Sequence, residues 1–273
     1  LKVIVKFLAS EILPAQFKAH HAKRLGRYYA AEVDLPSSAS VLNLLVRLRR
    51  ERPDSNWGIK PAAFSPTALF FDMDATVIGQ ESLVEMAQLI GVGKRVAEIT
   101  ERAMSGELDF AAALRERVML LRGQKNDIYE RIWPKITVNH GLEKLVRRVK
   151  SAGVPSFLVS GGFVQLASRI ADQCGFEDFH ANNLSEKNGV LTGEIEGVIV
   201  DAEEKRRWML ATIKSRSIQT SGLVATGDGA NDRLMLEAAG MAVGYQPKPV
   251  LRDSIQVQIA DGNFEFLEEL LCF

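Results

Sequence analysis

Two carboxylates separated by a single residue, Asp72 and Asp74, end the apolar run Ala68-Leu-Phe-Phe71. A short apolar run bounded by polar residues predicts a strand buried on both faces, as in a parallel sheet. The carboxylates then fall at its C-terminal end, where open α/β sheets bind their ligands. Two carboxylates this close repel unless a cation sits between them or one holds a proton. Both remedies suit phosphoryl transfer, with a metal ion bridging one Asp to a phosphate and the other Asp donating a proton. A solvated Asp-x-Asp turn is the plainer alternative, and a short motif alone has many false matches.

Three further elements outweigh that alternative. Ser160-Gly161-Gly162 follows a predicted strand over 154–159 and precedes a helix carrying Phe163, Leu166, Ala167, Ile170 and Cys174. A hydroxyl and two glycines between strand and helix make an anion site from free N–H groups and the positive helix end. Lys205 opens a helix running to about residue 214. Alone it reads as solvated surface, and only its place in the order of motifs sets it apart. Gly227-Asp-Gly-Ala-Asn-Asp232 follows a predicted buried strand over 223–226. Asp228 closes that strand, and Asp232 lies four residues on in the first turn of the next helix, which directs both carboxylates toward one locus.

The elements that must position these groups fall into two parts. Over residues 1–65, alternation predicts a strand at 1–8, and Pro14 with Gly26 bracket a helix at 14–25. A strand at 27–34 follows, then a helix through Arg50 capped by Ser38 or Ser40, with Val41, Leu44, Leu45 and Leu48 on one face. A third strand spans 57–64, and Ser65-Pro66 punctuates before the organising strand. This is a small α/β domain with no catalytic constellation; His20 and His21 lack acidic or Cys partners and read as surface residues. From 81 to about 135 the pattern is helical without strands: 82–90, 93–104 and 110–122, the last capped by Asp109. On that last helix Phe110, Leu114 and Leu121 share an apolar stripe within about 40° of one another, and Arg117 falls inside it while Arg115 points away. A guanidinium amid an apolar face needs an anion, either a structural Glu or a substrate carboxylate. Beyond residue 141 the α/β alternation resumes, with a helix marked by Leu142, Leu145, Val146 and Val149 and ending at Gly153, and a hairpin at Asn188-Gly189. Strands at 241–245 and 255–259 and a closing helix at 264–271 complete the chain.

The chain has 273 residues, 47% apolar and 25% charged, enough for a large core and more than one domain. Lysine plus arginine equals aspartate plus glutamate at 34 each, which argues against nucleic acid or an anionic membrane as partner. Cys174 and Cys272 lack metal-ligand spacing, and Cys174 lies on an apolar helix face, so a buried thiol in a reducing compartment is expected. Lys2 and Lys6 interrupt any signal-peptide core, and no apolar run reaches membrane-spanning length. A cytoplasmic protein is the expectation.

Asp72-Met-Asp74-Ala-Thr76, Ser160-Gly-Gly-Phe163, Lys205 and Gly227-Asp-Gly-Ala-Asn-Asp232 stand in the order of the haloacid dehalogenase (HAD) superfamily motifs, and the chain resembles that superfamily over about residues 66–273. Within it the chain is similar to the phosphoserine phosphatases: Glu81, the 104–110 segment and Leu114-Arg-Glu-Arg-Val118 match their helical cap. The resemblance implies an α/β fold, a Rossmann-like parallel sheet (66–273) with a helical cap inserted at about 80–138. Residues 1–65 resemble, in pattern only, the ACT-like extension of some bacterial members. Carried over, Asp72 is the nucleophile and Asp74 the general acid/base, while Ser160, Gly161 and Lys205 hold the phosphate. Asp72, the Asp74 carbonyl and Asp228 bind Mg²⁺, supported by Asn231 and Asp232. Glu81 and Arg117 grip the ammonium and carboxylate of L-phosphoserine, and Met104 and Phe110 close the pocket. The implied activity is phosphoserine hydrolysis through a phosphoaspartyl intermediate, the last step of serine biosynthesis. A phosphotransferase to another amino-acid alcohol and a non-catalytic ligand-sensing relative are the alternatives, and a homodimer stays open beside a monomer. The sequence departs from the family at Ala75, which stands where Ser is usual and removes a hydroxyl beside the catalytic pair.

Overall fold

Alternating apolar residues at the start of the chain fold as β1 (Lys2–Leu8), followed by β2 (Lys23–Leu25) and β3 (Tyr28–Asp34). The computed structural model describes residues 1–8, 23–25 and 28–271. Most of the helix expected at 14–25, with His20 and His21, lies outside the described residues. Its last three residues are a strand instead, pairing Lys23 with Ala30 and Leu25 with Tyr28, so sheet pairing overrides their local pattern. Helix α1 (Ser38–Glu51) is capped by Ser37, one residue before the expected position; its extended backbone leaves the hydroxyl to accept the Ser40 N–H. Leu45 and Leu48 form the buried face of α1, as the spacing predicts. Strand β4 (Trp57–Pro61) stops three residues short of the expected end, where Phe64 N–H turns back to the Pro61 carbonyl.

Strand β5 (Ala68–Phe71) is fully buried. After it the chain makes helices α2 (Ser82–Leu89), α3 (Gly93–Met104), α4 (Phe110–Met119), α5 (Ile128–Ile132) and α6 (Leu142–Ser151). Then come β6 (Ser156–Phe163), α7 (Val164–Cys174), and the hairpin of β7 (Asp178–Lys187) and β8 (Val190–Glu196). Asn188 and Gly189 both take positive φ at its turn, 53° and 74°, as an Asn-Gly hairpin requires. The chain closes with α8 (Ala202–Ser215), β9 (Leu223–Gly227), α9 (Arg233–Glu237), β10 (Met241–Tyr245), β11 (Val257–Ile259) and α10 (Glu265–Leu271). No described helix is long and apolar enough to cross a membrane.

Among the described residues the strands form one sheet in the order β2-β3-β1-β4-β11-β10-β9-β5-β6-β7-β8. From β11 to β7 the neighbours are parallel. Their apolar residues face two cores, one on each side: Leu69 and Phe71 point into one, Ala68 and Phe70 into the other. This is the α/β class with a mostly parallel sheet. The N-terminal strands run on from it, because β4 pairs antiparallel with both β1 and β11. Lys6, fully buried, strengthens this join by donating to the Phe266 carbonyl at 3.3 Å and the Glu269 carboxylate at 2.9 Å.

Trp57 sits at the join, fully buried and paired with Gln258. We expect Trp57→Ala to cost about 3–5 kcal/mol. Because one sheet carries both regions, urea denaturation followed by far-UV dichroism should show a single transition moved to lower urea. A separate early transition, with the main one unmoved, would mean that the N-terminal strands unfold on their own.

Candidate active site

Strand order reverses at β5: the chain crosses to β6 on one side and later to β9 on the other. The crevice at the C-terminal ends of these strands is the standard ligand position of an open α/β sheet, and four of the motif segments meet there. Asp72 follows β5 directly, is 3% exposed, and donates its N–H to the Thr226 carbonyl at 2.9 Å. Its carboxylate accepts from Lys205 Nζ at 2.5 Å, and the same ammonium reaches Asp232 Oδ1 at 2.7 Å. Lys205 was legible only from motif order; its helix starts at Ala202, capped by Asp201, and the side chain is fully buried.

Asp232 is committed on both oxygens, since its Oδ2 accepts the N–H groups of Asp228 and Gly229, each at 3.1 Å. It therefore holds the loop and the lysine in place. Gly227 makes this possible: a Cβ there would lie 2.3 Å from Asp232 Cγ. Asp228 pairs with Lys248 Nζ at 2.8 Å.

Beyond Asp72 the chain turns sharply. Ala75 takes a left-handed conformation (φ 55°), which costs an L-residue about 1–2 kcal/mol, and donates its N–H to the Gln80 carbonyl. The turn brings Asp74 against the start of α2, where its Oδ2 accepts from Ser82 N at 3.1 Å and Ser82 Oγ at 2.7 Å. Its Oδ1 is buried with no partner among the described residues. Burial, and then the Glu81 charge, push the Asp74 carboxyl up to about 7, against the pull of Ser82. Burial thus favours the neutral acid, while the Ser82 contacts favour the charged form.

Ser160-Gly161-Gly162 differs from expectation in setting. It lies within β6 at a break in register with β7, and the next helix is capped at Phe163. The backbone N–H groups are thus shaped by a bulge. Ser160 Oγ accepts the Gly162 N–H at 2.8 Å, and Asn182 Nδ2 donates to the Gly161 carbonyl at 2.8 Å.

Over the crevice stands the helical segment. Phe110 approaches Gly161, its ring 3.6 Å from where a Cβ would stand. Arg117 is half-buried, and Arg115 is exposed, as the helix phase predicts. Among the described residues no carboxylate lies within ion-pair distance of Arg117, whose Nε donates to the Ala113 carbonyl at 3.2 Å. Burial lowers its pKa while Glu81 raises it, so the two groups act across one space. Glu81, at the N-cap of α2, is raised by desolvation and by Asp228, against Lys248 and Arg117. Met104 is not brought into the cluster; it stands 85% exposed at the end of α3. Asn231 is half-buried beside Gly229. Sequence reasoning missed Ser82, Asn182 and Lys248. Only Lys248 carried a signal, its place just after a strand end on the ligand-binding edge of the sheet.

Asp72, Asp228 and Asp232 each place an oxygen within 4.8 Å of the others. Burial, then Asp232 and Asp228, push Asp72 well up against Lys205. Three carboxylates face two ammonium groups here, Lys205 and Lys248, which leaves a negative excess. Asp72 and Asp228 each keep an oxygen outside these pairings. An all-oxygen donor set with excess negative charge fits a hard divalent cation.

A family model described as haloacid dehalogenase-like hydrolase matches residues 69–237. A phosphoserine phosphatase of Archaeoglobus fulgidus is 40% identical over 230 residues, spanning 82% of this chain and 67% of its own length. Among solved structures, a HAD family hydrolase from Salmonella enterica superposes with a TM-score of 0.88 at 26% identity, covering 99% of both chains. A phospho-aspartyl intermediate analogue of a phosphoserine phosphatase superposes at 0.70 with 32% identity, covering 75% of this chain and 98% of that one.

The close approach of Asp232 to Gly227 has a direct test. Gly227→Ala should cost about 1–3 kcal/mol by overpacking, read as a lowered urea midpoint. An unchanged midpoint would show that Asp232 is free to move from Lys205.

Proposed function

The chain belongs to the haloacid dehalogenase-like hydrolases and is a phosphatase, and from that premise we propose that it hydrolyses L-phosphoserine through an aspartyl phosphate on Asp72, with Mg²⁺ as cofactor. The observation that carries the reading is the buried Asp72–Lys205–Asp232 chain at the strand switch point, with Asp74 held beside it against Ser82 and its carboxyl raised by burial. The phospho-aspartyl and substrate-bound structures among the similar phosphoserine phosphatases support it.

Asp72, Asp228 and the Asp74 carbonyl would hold Mg²⁺, with Asn231 and Asp232 supporting them. When bound, the ion offsets charge on the phosphate oxygens. Ser160, Gly161 and Lys205 hold the phosphate, so that anionic Asp72 approaches phosphorus in line with the serine oxygen. Protonated Asp74 hands its proton to that oxygen as the bond breaks. As a carboxylate it then takes a proton from the water that attacks the aspartyl phosphate. Its helix-end contacts to Ser82 stabilise the charged form, and its burial favours the neutral one, so both states are accessible. At the mouth, Glu81 faces the substrate ammonium and Arg117, which has no carboxylate partner among the described residues, faces its carboxylate, with Phe110 over the phosphate loop. This activity belongs to the last step of serine biosynthesis in the cytoplasm.

Phosphate release from L-phosphoserine with Mg²⁺, with and without added amino-acid alcohols, tests the reaction and its acceptor. Asp72→Asn keeps the shape and removes the nucleophile, so turnover should collapse while the thermal transition survives; substantial remaining turnover would sink the mechanism.

Arg117 tests the substrate. Losing one partner of a partly desolvated charge pair costs roughly 2–5 kcal/mol, so Arg117→Ala should lower kcat/KM for L-phosphoserine at least about tenfold. Arg115→Ala should do much less, and phosphoethanolamine, which has no carboxylate, should barely register the loss of Arg117. An equal loss on both substrates would make Arg117 a structural residue.

A further inference from the structure

Lys248 lies between Pro247 and Pro249 in the loop after β10, outside every motif that marks the site. Gln246 before it takes a positive φ of 40°, and the Lys248 N–H donates to the Asp228 carbonyl at 2.8 Å. Two prolines and that hydrogen bond fix the backbone. The side chain then reaches Asp228 Oδ2 at 2.8 Å and stands 4.0 Å from Glu81 Oε1. It runs alongside Gly229, where a Cβ would stand in ordinary contact, 3.4 Å from the Lys248 ammonium and 3.6 Å from its Cδ. An ammonium is thus held between a carboxylate of the cation site and one at the pocket mouth.

We propose that Lys248 is a positioning residue that sets the affinity of the cation site: its ammonium offsets the Asp228 charge in the free protein and so competes with a divalent ion for that carboxylate. This rests on the proposed function, in which Asp228 binds Mg²⁺. Lys205 does not serve this purpose, because it is fully buried between Asp72 and Asp232. Lys248 is about half exposed, with solvent into which it can withdraw. The same withdrawal leaves it free to balance Glu81, so occupancy of the cation site and charge at the pocket mouth are linked through one side chain.

The test is Mg²⁺ binding to metal-stripped protein by titration calorimetry, with no substrate present. Lys248→Met removes the competing charge and keeps the length, so Mg²⁺ should bind roughly fivefold more tightly, as befits a half-exposed ion pair. Lys248→Arg keeps the charge and should bind as wild type does. A merely structural lysine predicts the opposite, weaker binding in Lys248→Met as Asp228 loses its hold. Unchanged or weaker binding in Lys248→Met, with wild type binding normally, would overturn the inference and leave the proposed function standing. If Mg²⁺ failed to bind wild type at all, the proposed function would fall and this inference with it.

Discussion

A single buried ammonium, that of Lys205, sets the geometry of the crevice. A lysine with no solvent exposure is stable as a cation only if carboxylates surround it, and here Asp72 and Asp232 do so at 2.5 and 2.7 Å. Each partner is then constrained in turn. Asp232 must lie flat against residue 227, which has to be glycine, and its second oxygen gathers the 228–229 backbone. Asp228 is therefore placed by Asp232, which is placed by Lys205. Asp72 is placed from the other side by its strand and by the Thr226 carbonyl. Removing the ammonium would leave two buried carboxylates facing each other.

The same arrangement separates two electrostatic zones. Inside, carboxylates outnumber ammonium groups, a donor set that could hold a metal ion. At the mouth, Lys248 stands 4.0 Å from Glu81, whose charge also acts on Arg117. Burial raises Asp72 and Asp74 and lowers Arg117. The chain spends backbone strain where the zones meet, at Ala75. A left-handed turn there swings Asp74 from the end of β5 to the start of α2. Backbone contacts hold the turn, with the Ala75 N–H donating to the Gln80 carbonyl and the Ile78 N–H to the Met73 carbonyl.

Most of the fold could be read from local pattern, because a buried parallel strand needs a short apolar run and a helix needs its period. The strand at 68–71, the hairpin at Asn188-Gly189 and the helix phase of Arg117 came from such rules. The misses cluster where pairing partners decide. Residues 23–25 carry a helical pattern and become a strand because β3 is there to bond them. Ser160-Gly-Gly reads as a loop, yet it lies in a strand because β7 continues alongside it.

The site divides along the same line. Asp72, Asp74, Asp228 and Asp232 stand out because they lie at strand ends or helix starts that local pattern locates, whereas Lys205 stands out only by its place in the order of motifs. Sequence by itself thus determined which groups carry charge and on which elements they ride. The tertiary structure alone decided their partners: Lys205 bridges to Asp72 across 133 positions of chain, Asn182 braces Gly161, and Lys248 reaches Asp228 from a loop with no motif. Such pairings depend on which strands become neighbours, and that is set by how the two cores are filled on either side of the sheet, a property of the whole chain that no local spacing records.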